Sequence, residues 1–279
     1  MSNIWNIKYL RRNKALYKKY GVKRKVWQSI SSKHFDDLRE PSSYTATDDL
    51  WKRNGYVVLE RFLNEKLVDE INNGIQSGLD SGAIDFNYTQ RKIHFAYEQV
   101  PVLKEVINHP GIIAKLEELL GDKVVPFQSI NFLKGSEQAA HSDSVHMASY
   151  PLGGLIAIWV ALEDINEQNG GLFYYPGSHT LPYVTNADVG NNTGSVLSPN
   201  PNKNYEDYVQ HQIASLGLKK ESFKAKKGDV LIWHANLIHG GLPHLDKSLS
   251  RKSMVVHYFV KDRICYHELS QRPAVVKEI

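Results

Sequence analysis

From Gly121 onward the chain changes character, and that switch constrains the fold more than any other feature. Before it, apolar residues recur at three- to four-residue spacing. Val68, Ile71, Ile75 and Leu79 follow a capping Asn64, and Ile113, Leu116 and Leu120 lie between Pro110 and Gly121. A short helix from Thr47-Asp48-Asp49 to Gly55 and a strand at Tyr56-Val57-Val58-Leu59 precede them. After Gly121 come strand-like runs at 124–133, 155–162, 172–175, 229–233 and 253–260. Turn chemistry separates them: Pro151-Leu152-Gly153-Gly154, Asn169-Gly170-Gly171 and Pro176-Gly177-Ser178. Helices first and strands later predict a mainly β core with a helical cover, most simply a jelly roll. The polar, Asn-rich stretch 186–208, with Pro199 and Pro201, reads as one long loop of the kind that forms a lid.

With 279 residues, 42% of them apolar, the chain has ample length for a buried core and is not of disordered composition. A single cysteine, Cys265, excludes an internal disulfide framework and a Cys-based zinc site. No stretch is apolar over the roughly 20 residues a bilayer span needs, and the first residues lack the apolar core of a secretory signal. The expected location is therefore the cytoplasm. Charge is uneven. Residues 1–40 carry 11 Lys/Arg and 3 acids, whereas the remainder holds 23 basic and 27 acidic groups. We read 1–45 as a basic arm bearing Trp5, Tyr9, Tyr17, Tyr20 and Trp27, and 46–279 as the β domain. The arm is expected to pack on the domain through its aromatics; docking on a phosphate-rich partner or a membrane surface is the alternative reading of the same charge. No nucleic-acid motif accompanies its charge, so no nucleic-acid partner is expected.

His141-Ser142-Asp143 sets two ligand-type side chains at i and i+2, on one face of an extended segment. His239 follows the run 229–233 and lies 98 residues downstream. Two His and one carboxylate make the facial triad that holds ferrous iron with positions left open. A chain with 12 His also produces such a pair by chance, and His244-Leu245-Asp246 is a second match, in a charged loop. Arg251 adds a different signal, 12 residues after His239 and at the mouth of the run 253–260. Such an Arg can grip the far carboxylate of 2-oxoglutarate bidentately, with the Ser253 hydroxyl beside it. An isolated Arg next to Lys252 is otherwise an ordinary surface residue.

At this point the sequence resembles the phytanoyl-CoA dioxygenase family of iron- and 2-oxoglutarate-dependent oxygenases. The resemblance runs from Asp48 to Phe259. It rests on Asn54-Gly55-Tyr56-Val57-Val58, His141-Ser142-Asp143, Trp159-Val160-Ala161-Leu162-Glu163-Asp164 and Asn169-Gly170-Gly171-Leu172. Pro176-Gly177-Ser178-His179, Gly228-Asp229-Val230, His239-Gly240-Gly241 and Arg251 complete it, in that order. Gln128-Ser129-Ile130-Asn131-Phe132 also resembles the ectoine hydroxylase branch. The resemblance implies a cupin-like double-stranded β-helix, with Fe(II) on His141, Asp143 and His239. It implies 2-oxoglutarate on Arg251, Asn131 and Ser253 beside Trp159, O2 as oxidant, and Gln128 facing the substrate. Many members have Gln where this chain has Ser142, and Ser where it has Gly241. The Asp at 143 argues against a halogenase.

His146, close behind Asp143, is expected near the metal, and with His94 and Tyr97 it completes the substrate candidates. His179 and His257 are expected to be structural. Polar candidates with Arg91 and Lys92 beside them predict a small polar or anionic substrate, hydroxylated, desaturated or cyclised at a C–H bond. Two other readings of a jelly roll remain, a non-catalytic ligand-binding module and a cupin-like metal isomerase. The sequence names neither the substrate nor an oligomeric state.

Overall fold

The computed structural model describes residues 14–19, 49–191, 202–269 and 271–274. Most of the proposed arm thus lies outside the described residues. Within it, helix α1 (14–19) rests Leu16 and Tyr17 on an apolar cluster of Ala148, Tyr150, Leu152, Ile264 and Tyr266.

The helical cover follows the sequence signals. After α2 (Asp49–Asn54), Asn64 caps α3 (Glu65–Asp80) by accepting the Leu67 N–H at 2.9 Å. Val68, Ile71 and Ile75 of α3 face inward. A short α4 (Leu103–Ile107) precedes α5 (Pro110–Leu120), which opens on its proline and stops at Gly121 with φ +70°.

Among the described residues, eleven strands form three antiparallel sheets. They are β1 (Tyr56–Leu59), β2 (Ile93–His94), β3 (Val124–Phe132), β4 (Met147–Tyr150), β5 (Leu155–Ala161), β6 (Leu172–Tyr174), β7 (Glu221–Phe223), β8 (Val230–His234), β9 (His239–Gly241), β10 (Ser253–Val260) and β11 (Ile264–His267). The large sheet runs β1-β8-β5-β10-β3-β2, facing a small sheet β7-β6-β9, with β11-β4 as a separate ribbon. Strand alternation divides the core in two. Ile156, Ile158, Val160, Val230, Ile232, Met254 and Val256 pack on the helices, whereas Ala157, Trp159, Leu231, Trp233 and Val255 pack toward the small sheet. This is the jelly roll with helical cover that the pattern predicts.

One expectation changes. The stretch 186–208 is not one structureless loop, because α6 (Lys203–Ser215) begins inside it. Its near end is anchored: Asn186 donates its backbone N–H to Glu268 at 3.0 Å and its side-chain amide to Val145 O at 2.9 Å. Residues 192–201 of the expected lid lie outside the described residues. No helix among the described residues is long and apolar enough to cross a membrane.

Candidate active site

Between the two sheets lies a cavity of about 660 Å³. His141 and His239 meet on its wall through a two-residue bridge. His141 N–H donates to His239 O at 2.9 Å, and His239 N–H returns to His141 O at 2.8 Å. This reciprocal pair is what joins residues so distant in sequence. Ser142 is extended, and Asp143 then opens a 3₁₀ turn, Asp143–Val145, instead of continuing a strand. One extended residue suffices to aim both side chains at the same point. The ligand atoms of His141, Asp143 and His239 lie within 4.8 Å of one another, the one such cluster among the described residues. The alternative match ends there: His244 is buried elsewhere and donates its backbone N–H to Glu137.

Hydrogen bonds behind the cluster fix what each member presents. His141 Nδ1 pairs with Ala139 O at 2.8 Å and His239 Nδ1 with Leu237 O at 2.9 Å. A carbonyl only accepts, so Nδ1 carries the proton in both rings, and each Nε2 keeps a lone pair for a ligand. Those Nε2 atoms stand 3.9 and 3.7 Å from Asp143 Oδ1. Trp233 Nε1 donates to the other oxygen, Oδ2, at 2.8 Å, and His257 Nε2 lies 3.6 Å from it. Burial pushes the His141 pKa well below its usual value, with His239 and His146 adding to the effect. Burial opposes the charge of Asp143, but the facing imidazoles of His239, His257 and His141 outweigh it and hold the carboxyl well below the usual range. Two imidazoles that present Nε2 and one carboxylate, buried and converging, fit a single divalent metal of the ferrous type.

Arg251 lines the same cavity and is 1% exposed. Its guanidinium lies against the rings of Phe132 and Trp159, at 5.3 and 5.8 Å. Nε donates to Gly170 O at 3.1 Å and one terminal nitrogen donates to Ser253 Oγ. Among the described residues it has no ion-pair partner. Burial lowers its pKa to about 10, opposed by Glu163, so it remains a cation at neutral pH.

Of the other expected residues, Gln128, His146, His94 and Trp159 line the cavity. His146 lies 5.4 Å from the His141 ring, centroid to centroid, and burial lowers its pKa to about 4. Three do not line it. Asn131 is out of phase with Gln128, Ile130 and Phe132 on β3, so it faces the helices beside Met254, buried and unpartnered. Tyr97 follows a left-handed Phe95 into a 3₁₀ turn that buries it in the helix-side core. Ser253 shares a face of β10 with Val255 and His257, which line the cavity, but its hydroxyl accepts from Arg251 and it does not reach the wall. The two neighbouring cations also part ways. Arg91 is tied to Glu137 at 2.9 Å and to Ser136 O at 3.0 Å, whereas half-buried Lys92 reaches only Gln138 Oε1, at 3.5 Å.

The departure at position 241 has a steric reason. A Cβ on Gly241 would meet the Glu137 backbone nitrogen at 2.9 Å and Ser136 Oγ at 2.6 Å. The loop 135–138 has closed over the place where a serine would stand. Sequence reasoning missed Trp233 and Gln138, which touch the cluster across 90 and 3 residues, and Tyr205, which reaches Ser142 across 63. Only Trp233 left a trace, in phase with Leu231 on β8 and opposite to Ile232.

The family profile described as phytanoyl-CoA dioxygenase matches residues 51–253. The chain belongs to the phytanoyl-CoA dioxygenase family. Within that family, a stretch of 90 residues is 38% identical to phytanoyl-CoA dioxygenase domain-containing protein 1 of Danio rerio, covering 30% of each protein. Phytanoyl-CoA dioxygenase of Arabidopsis thaliana is 28% identical over 174 residues, 61% of this chain and 56% of that protein. The chain thus spans well under two thirds of these curated relatives. Solved structures share the fold. EctD from S. alaskensis, determined with 2-oxoglutarate and 5-hydroxyectoine, has a TM-score of 0.64 at 20% identity over 84% of this chain and 85% of its own. The epimerase SnoN, in complex with Fe3+, alpha ketoglutarate and nogalamycin RO, has a TM-score of 0.63 at 18% identity over 86% and 97%.

Proposed function

We propose that this member of the phytanoyl-CoA dioxygenase family is an Fe(II)- and 2-oxoglutarate-dependent oxygenase acting on a C–H bond of a small polar, anionic metabolite. The observation that carries the reading is Arg251, a buried cation with no ion pair among the described residues, on the wall that also holds the His141–Asp143–His239 cluster. An uncompensated buried charge is costly, and a dianionic co-substrate supplies the missing partner. Bound iron and 2-oxoglutarate would supply activation of O2, one atom leaving in succinate as CO2 is released and the other entering the substrate.

The residues of the chain have separate tasks in this reading. His141, Asp143 and His239 hold the metal, and the bonds to Ala139 O and Leu237 O keep their rings turned toward it. Arg251 takes the far carboxylate of 2-oxoglutarate, Ser253 aligns Arg251, and Trp159 and Phe132 wall the co-substrate off from water. Lys92, His94, His146 and Gln128 supply polar contacts to the substrate around the Asp143 end. A long acyl chain would call for an apolar mouth there. SnoN and EctD were solved with 2-oxoglutarate, which supports the assignment of the co-substrate.

The test is Asp143→Ala. The wild-type protein, anaerobic with Fe(II) and 2-oxoglutarate, should show the weak visible absorption of the ternary complex, and the variant should lose both it and succinate release. Full turnover by the variant would refute the assignment. Screening polar carboxylates and phosphonates against acyl-CoA thioesters by succinate release tests the substrate class, and a preference for thioesters would overturn that part.

A further inference from the structure

Ser142 stands between two of the expected metal ligands, His141 and Asp143, and the structure shows what it touches. Ser142 N–H donates to the Tyr205 hydroxyl at 3.0 Å, and Ser142 Oγ lies 2.8 Å from the same oxygen. Ser142 Oγ is also 2.8 Å from Ser144 Oγ, which is 2.8 Å from Asn236 Oδ1. All four residues are buried.

The direction of every bond in this chain follows from its far end. The Asn236 amide nitrogen donates to His179 O at 3.1 Å and Leu181 O at 2.8 Å, so the amide cannot be reversed and Oδ1 can only accept. Ser144 must therefore donate to Asn236, Ser142 to Ser144, and Tyr205 to Ser142. The Tyr205 oxygen then accepts the Ser142 N–H. Every buried hydroxyl donates once and the string points one way, an arrangement in which each bond strengthens the next.

Its ends join the segments that carry the cluster. Ser142 stands between His141 and Asp143, and Ser144 also holds its backbone N–H on Ala235 O at 3.1 Å. Asn236 lies in the turn that delivers His239, and Tyr205 belongs to α6, whose neighbouring Glu206 lines the cavity. We propose that Tyr205 is a positioning residue. Through the relay Tyr205–Ser142–Ser144–Asn236, its hydroxyl fixes the His141–Asp143 segment relative to His239, so that the geometry of the metal site depends on that hydroxyl and not on the apolar packing of α6. This rests on the reading of the cluster as a metal site. The Ser at 142 is what makes the relay possible, since a longer side chain there would displace the tyrosine oxygen.

The experiment uses the full-length protein and Co(II) as the metal probe, followed by its visible absorption, with thermal midpoints recorded in parallel. Tyr205→Phe removes one oxygen and leaves the ring. It should weaken Co(II) binding by roughly 10- to 100-fold, the usual effect of losing a partner behind a metal ligand, and should change the ligand-field band of the bound ion. Val209→Ala, one turn further along α6 and 2% exposed, thins the apolar packing under the same helix and leaves the Tyr205 hydroxyl in place. It should lower the thermal midpoint at least as much while leaving Co(II) affinity within about twofold. Ser142→Ala should also weaken binding, and the double variant should be no worse than Tyr205→Phe alone, because both cut one string. Wild-type affinity and an unchanged band in Tyr205→Phe would overturn the proposal, as would equal losses of affinity in Tyr205→Phe and Val209→Ala. Failure of the wild-type protein itself to bind Co(II) would instead defeat the metal-site reading beneath it.

Discussion

On the side of the six-stranded sheet turned to the helices, Ile158 of β5 stands among Ile156, Val160, Ile232 and Val256, all fully buried. One residue on, Trp159 points the other way, into a cavity it shares with Arg251, His141, Asp143 and His239. The same strands thus build a dry apolar layer and a charged, hollow one. The first can be close-packed because nothing must enter it. The second keeps a buried cation with no ion pair among the described residues, and a cluster of converging ligand-type side chains. Stability is concentrated on one face and the candidate site on the other.

Substitutions on adjacent residues can break or sharpen that contrast. The largest effect is expected from Arg251→Ala. The co-substrate carboxylate would lose its cation, at about 2–5 kcal/mol, so the apparent constant for 2-oxoglutarate should rise about thirty-fold or more while iron affinity changes little. Equal effects on both would mean that Arg251 holds the fold and not the ligand, and Arg251→Lys should fall between. Ile158→Ala should do the reverse. It should cost about 2–4 kcal/mol in denaturant unfolding and leave the constants for iron and 2-oxoglutarate in the remaining folded protein unchanged.

Acid should reveal a titrating group on the helix side. His234 is in phase with Ile232, lies 5.9 Å from Trp51, and has its pKa lowered from 6.5 to about 3, first by burial and then by His179. Below its unfolded value the unfolded chain takes up a proton that the folded chain refuses, so stability present at neutral pH is lost as pH falls from about 6.5 towards 3. This group alone should remove about 2 kcal/mol between pH 7 and pH 5, and His179, lowered in the same direction, adds to it. Urea midpoints measure the loss. The His234 ring signals in NMR should stay untitrated down to pH 4, and titration near 6.5 would place the residue in contact with water. The smallest effect is expected at Asn131. Its amide is buried without partners, so Asn131→Leu should leave stability level or raise it by up to about 1 kcal/mol, with the 2-oxoglutarate constant unchanged. A weakened constant would return Asn131 to the site.

Asn131 also shows where the reading of the sequence stopped. Residues 128 and 131 cannot share a face of one strand, because a three-residue step in a period of two ends on the opposite side. The strand was legible, and so was its alternation. The family resemblance nevertheless assigned Asn131 to the co-substrate. Tyr97 failed for a different reason. The left-handed turn at Phe95 redirects the chain, and nothing in the local composition announces a positive φ at that residue.

The sequence by itself determined the layers, the caps at Asn64, Pro110 and Gly121, and the residue types of the cluster, including Arg251. These depend on spacing within a few residues and on side-chain chemistry, both carried by the local chain. The tertiary structure alone decided that His141 and His239 exchange backbone hydrogen bonds, that Trp233 takes one oxygen of Asp143, and that Tyr205 reaches Ser142. It also set the loop 135–138 against Gly241, which closed the space a serine would need. These are contacts between segments brought together by strand crossing, and their partners are fixed by direction and distance in space, which spacing along the chain does not encode.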